Sequence, residues 1–113
     1  LGDTVALPVA ASSKVADLLE ARGFKVLWTR MGSAALAEAA NEPGVGFAAD
    51  LTVGFILPGF LPALDASAAF LKVLDLLAIR QRPLSELVAR APEIHIVHDE
   101  VVTPWDSQGV VMR

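Results

Sequence analysis

Apolar positions along this chain recur with two periods, every second residue and every third or fourth, and the changes of period predict alternating strands and helices. Thr4 to Pro8 is a short apolar run, read as a strand, and Ser12 or Ser13 after it is a good N-cap for a helix. In that helix Val15, Leu18 and Leu19 share one face, Lys14, Asp17 and Glu20 the other, and Gly23 is placed to end it. Phe24 to Thr29 alternates as a second strand, with Phe24, Val26 and Trp28 on one side and Lys25, Leu27 and Thr29 on the other. Gly32 and Ser33 then open an Ala-rich helix to about Ala40, stopped by Asn41 and Pro43.

After Gly44 the pattern predicts two short strands, Val45 to Ala49 and Val53 to Leu57, with Asp50 to Thr52 between them. Pro58 to Pro62 reads as a loop, and Pro62 suits the first turn of a helix reaching about Arg80. That helix has Ala63, Ala66, Phe70, Val73, Leu74 and Leu77 on one face, yet keeps Leu64, Leu71 and Ile79 on the other. A helix apolar on two sides is expected to be buried on two sides or to meet a partner. Leu84, Leu87 and Val88 follow Pro83 as a short helix, Glu93 to His98 reads as a last strand, and residues 100–113 have no helical period. The alternation of strands and helices is that of an α/β domain. Residues 100–113 read as a linker toward a further domain.

Composition narrows the classes. With 54% hydrophobic residues in 113, the chain can bury a core of its own. Nine Lys+Arg against thirteen Asp+Glu leave a net charge of −4 and no basic face, which argues against a nucleic-acid partner. The longest uncharged stretch, Leu51 to Leu64, is 14 residues and holds Pro58 and Pro62, short of the roughly 20 that a membrane helix needs. The absence of cysteine excludes disulfides and thiolate metal sites within these residues, and the first ten lack the pattern of a secretory leader; both point to a cytoplasmic setting.

Motifs are few. There is no G-x-G-x-x-G, no G-x-x-x-x-G-K-[ST] and no G-x-S-x-G, and the Gly44-x-Gly46 pair leads into a strand, not a helix. His95 and His98, three apart on the expected strand, would point to opposite faces, with no further ligands spaced to join them. Ser12-Ser13 is explained by capping, and Trp105 by packing on a neighbouring domain. Arg30-Met31-Gly32 joins a strand end to a helix start, where a cation can meet a phosphate. The segment Gly44 to Ala66 sets one acid, Asp50, and one hydroxyl, Thr52, at a turn between apolar runs. The pair is open to two readings, a self-capping hairpin turn or the tip of a ligand loop.

These residues resemble a known family. The order VALPVAASSKVADLLEARGFKVLWTRMGSAALAEA, the loop at Gly46 to Phe55 and PALDASAAFLKVLDLLAIRQRPLSELVARAPEIHI are similar to the third domain of the α-D-phosphohexomutases, the phosphoglucomutase and phosphomannomutase group, over about Leu1 to His98. Thr29-Arg30-Met31-Gly32 matches the family's T-x-x-G turn and Leu84-Ser85-Glu86-Leu87 its L-S-E-L segment. The resemblance implies one three-layer α/β/α domain over residues 1–99 with a small mixed, mostly parallel sheet, and sugar recognition by a G-E-x-S-G-like loop, here with Asp50 for the Glu and Thr52 for the Ser, and with Arg30 near the phosphate. Leu51 and Val53 replace polar or glycine positions, and Ala34 stands where the family often has a basic residue. It also implies a hexose phosphate substrate, phosphoryl transfer between C1 and C6, Mg²⁺ held by another domain, and neighbouring domains of the same chain as partners. No catalytic residue or cofactor is expected in this segment, which is not catalytic alone; its apolar helix also allows self-association. FILPGFLPALDA looks closer to mutase-like regions fused behind a mannose-1-phosphate guanylyltransferase type of nucleotidyltransferase. The alternative it implies is a structural or regulatory module, and an unrelated α/β binding domain stays open as well.

Overall fold

The computed structural model describes residues 2–52, 54–95, 97, 99, 102–107 and 109. Strand β1 (Thr4–Pro8) leads to helix α1 (Ser13–Glu20), β2 (Lys25–Thr29), α2 (Ser33–Ala40) and β3 (Val45–Ala49). The hairpin β4 (Phe55–Leu57) and β5 (Leu61–Leu64) follows, then α3 (Ala66–Arg80), α4 (Leu84–Val88) and a 3₁₀ turn at Trp105–Ser107. The strands form one mixed sheet in the order β2-β1-β3-β4-β5. β1 is parallel to β2 and β3, β4 is antiparallel to both its neighbours, and so four of the five strands run the same way.

Sequence explains the first half closely. Ser12 Oγ accepts the Lys14 N–H at 3.3 Å as the N-cap of α1, and Gly23, at φ 84°, takes up the left-handed turn that follows the helix. Right-handed crossovers that leave β1 toward β2 and return from β2 to β3 place their helices on opposite faces of a sheet. Accordingly, Leu36, Ala39 and Ala40 of α2 close a core with Ala6, Val45, Ala48 and Ile56. The other face has Phe47 stacked on Phe55, and α3 lies there beside both rings. Leu18 and Arg22 of α1 share a groove with Leu76 and Arg80 of α3, so α1 and α3 form one layer, the sheet the second and α2 the third. This is the α/β/α architecture expected.

Three expectations change. Pro62 does not start the long helix: it lies in β5, where Leu61 pairs with Leu57 and Leu64 with Ile56. β5 is an edge strand, on which the missing N–H of proline costs no ladder bond, and the better N-cap wins. Asp65, extended at φ −138°, accepts the Ala68 N–H at 2.9 Å and starts α3 at Ala66. Second, no strand forms over residues 93–95; Ile96 and His98 of the expected strand lie outside the described residues. Third, of the two outcomes expected for α3, burial on two sides is not the one seen within this chain, since Phe70, Leu71 and Ile79 are 63%, 62% and 78% exposed; Trp105, expected to pack on a neighbouring domain, is exposed as well.

Candidate functional site

In an open α/β sheet, ligands collect at the carboxyl ends of the parallel strands, where successive crossovers leave for opposite faces. Here that point lies between β1 and β3. A crevice of about 320 Å³ opens there, lined by Pro8 from β1, Met31, Gly32 and Ser33 from the β2–α2 turn, Leu36 from α2, and Asp50, Leu51 and Thr52 from the β3–β4 loop. Gly32 adopts φ 110°, a conformation that glycine tolerates and side chains rarely do, and it is the N-cap of α2 with no side chain to cover the helix's first N–H groups.

The β3–β4 loop is tied to itself. Ala49 pairs with Phe55, and the Asp50 N–H donates to the Gly54 carbonyl at 2.9 Å. Oδ1 of Asp50 accepts the N–H groups of Thr52 at 2.8 Å and Gly54 at 2.6 Å, and Oδ2 accepts the Thr52 hydroxyl at 2.9 Å. The Gly54 N–H holds the Asp50 carboxyl below the ordinary carboxylate range, with partial burial opposing and the Thr52 bonds assisting. The side chain is therefore ionised at neutral pH. A carboxylate offers about four lone-pair sites; three are used inside the loop and one, on Oδ2, is left. Thr52 directs its hydrogen to Asp50, so its oxygen presents acceptor capacity only. Both polar side-chain groups of this loop thus ask for a donor.

Arg30 is placed elsewhere. It lines an adjoining groove of about 510 Å³ with Trp28, Glu38 and Glu42, between β2 and α2, and only its neighbours Met31 and Gly32 reach the crevice. Ala34 is exposed and does not line it.

A family model described as "Phosphoglucomutase/phosphomannomutase, alpha/beta/alpha domain III" matches residues 1–94. The chain belongs to this family. Among relatives of this phosphohexomutase domain, a "Probable phosphoglucosamine mutase" of Methanopyrus kandleri is 30% identical over 109 residues, 96% of this chain and 24% of the relative. A second protein with that name, from Methanothermobacter thermautotrophicus, is 30% identical over 113 residues, all of this chain and 25% of the relative. The chain spans about a quarter of the length of these relatives.

In this phosphohexomutase domain the structure brings Asp50 and Thr52 together and sets Arg30 apart. Sequence reasoning missed Pro8 and Leu36 as walls of the crevice. The T-x-x-G turn was a pointer to Met31 and Gly32, because a strand end that feeds a helix N-terminus is a switch-point loop. Pro8 and Leu36 gave no such signal, each reading as strand end and helix core.

Proposed function

We propose that this chain is the sugar-recognition domain of a larger phosphohexomutase that moves a phosphoryl group between C1 and C6 of a hexosamine phosphate. The observation that supports it is the acceptor-only pair, Asp50 and Thr52, beside the switch-point crevice. An ionised Asp50 with one open lone pair receives a sugar hydroxyl or, with charge assistance, a sugar ammonium. The relatives' names favour the amino sugar. Arg30 belongs to the proposal as a phosphate-side cation acting from its own groove. The proposal assigns Mg²⁺ and the phosphoryl-carrying residue to other domains of the full-length protein.

The test is a mutase assay on the full-length protein that contains this chain, with glucosamine 6-phosphate, glucose 1-phosphate and mannose 1-phosphate, Mg²⁺ and a hexose bisphosphate. Turnover, highest with the amino sugar, and a raised KM in Asp50→Ala are expected. Failure to turn over any of the three sinks the proposal. A second reading, a non-catalytic module attached to a sugar-phosphate nucleotidyltransferase, is favoured by the three acceptor sites of Asp50 already used within its loop. Nucleotidyltransferase activity without mutase activity would establish it.

A further inference from the structure

Gly54 does not have a positive φ, unlike Gly23, Gly32 and Gly44, so backbone freedom does not account for the glycine. Clearance does. A Cβ built on Gly54 would lie 2.6 Å from Asp50 Oδ2, 2.8 Å from Asp50 Cγ and 2.9 Å from Leu64 Cδ2, all closer than real Cβ contacts come. The Leu64 terminus can swing away. The Asp50 carboxylate is held on Gly54 and Thr52 by three hydrogen bonds and moves only by giving them up. We infer that Gly54 is a positioning residue: the empty space at its α-carbon lets the Asp50 carboxylate fold back over the loop, which sets where Oδ2 and the Thr52 oxygen point.

The inference rests on the proposed sugar site for its kinetic consequence, but its physical content is a coupling between residues 50 and 54 that exists whatever the substrate. If Gly54 acts through Asp50, a methyl group at 54 harms the loop only while Asp50 is present to be displaced. Thr52 then loses the acceptor that orients its hydroxyl. Substrate binding suffers while residues outside the loop are untouched, so KM changes more than kcat.

The experiment is a double-mutant cycle of G54A and D50A in the full-length protein, read by thermal unfolding and by hexosamine-phosphate kinetics. Expected for G54A is a KM raised about five- to twentyfold with kcat within about twofold, and a D50A/G54A variant no worse than D50A alone. In unfolding, G54A should lower Tm when Asp50 is present and much less in the D50A background. Wild-type KM in G54A, or effects that multiply in the double variant, would overturn the inference. Should G54A alone fail to fold, recovery of folding in the double variant supports the clearance relation, and failure of both overturns it. A protein without mutase activity removes the sugar-site reading, and the Tm cycle still decides the coupling.

Discussion

Phe47 of β3 and Phe55 of β4 stack with ring centroids 5.7 Å apart and planes 25° from parallel, at the root of the loop that holds Asp50. The pair bridges β3 and β4 on the face covered by α3. The geometry of a five-residue loop depends on how firmly its stem is paired, so packing at the stem reaches the candidate site without touching it. Both rings are only half-buried. Phe55→Ala should therefore cost about 1–3 kcal/mol, below the usual cost of a fully buried phenylalanine. Denaturant unfolding of wild type and variant checks the figure, and no loss of stability would show that the stack is ornamental.

Acid should weaken the fold through two carboxyls. The Lys25 ammonium, 2.8 Å from Asp3, lowers the Asp3 pKa, and the Gly54 N–H lowers that of Asp50. A depressed folded-state pKa adds stability that is present above the unfolded value, 3.8 for both groups, and is lost as pH falls through the folded one. Neither group should alter stability between neutral pH and about pH 5, and both should contribute to a decline below about pH 4. Both are exposed enough that solvent and salt reduce the effect. Unfolding curves of wild type and Asp50→Asn at a series of pH values should show a shallower acid decline in the variant. An identical decline would mean that the loop bonds do not favour the ionised form.

How much of this was legible depended on whether the signal was local. Ser12, Gly23 and Gly32 mark helix ends by their own chemistry, and the first four elements stand where the periodicity put them. Pro62 misled because proline suits both a first helical turn and an edge strand, and only the pairing of Leu61 with Leu57, a tertiary fact, separates the two. Asp50 and Thr52 were legible as a pair at a turn, but their mutual hydrogen bonds were not, since one spacing serves an outward ligand and an inward cap alike. Arg30 was placed by position at a strand end; which side of α2 its side chain takes depends on packing that a motif does not encode.

Asp65 makes its own prediction. Its carboxylate accepts the Ala68 N–H at 2.9 Å and is the side-chain cap of α3, whose first turn has no other acidic residue. Asp65→Ala should lower stability by about 1 kcal/mol, and Asp65→Ser should restore most of it, since a serine hydroxyl accepts the same bond. Equal stability of the two variants would show that capping is not what Asp65 contributes.

Arg30 offers a test of how far the candidate site extends. If its groove belongs to the phosphate side, Arg30→Ala should raise KM for a hexose phosphate in the full-length protein by about two- to fivefold, an effect that fades as salt is added, as expected for an exposed charge. Arg30→Lys should keep most of the affinity. A KM that is unchanged by Arg30→Ala at low salt would confine recognition to the crevice beside Asp50.

The last prediction concerns α3. Phe70 and Ile79 lie on opposite sides of this helix and are largely exposed, as is Phe60 on the hairpin below it. Apolar area of this extent in water favours association by roughly 25 cal/mol per Å² removed from solvent, and an isolated chain has only its own copies to supply the cover. The 113-residue chain on its own should therefore elute above its monomer mass at micromolar concentration, and dilution should shift it toward monomer. Phe70→Lys with Ile79→Lys should yield a monomer of unchanged helix content, because neither side chain contributes to the core around Leu36 and Ile56. A wild-type chain that stays monomeric across the concentration range would show that the exposed face of α3 is tolerated in water, and the same result from the lysine variant would then carry no further weight.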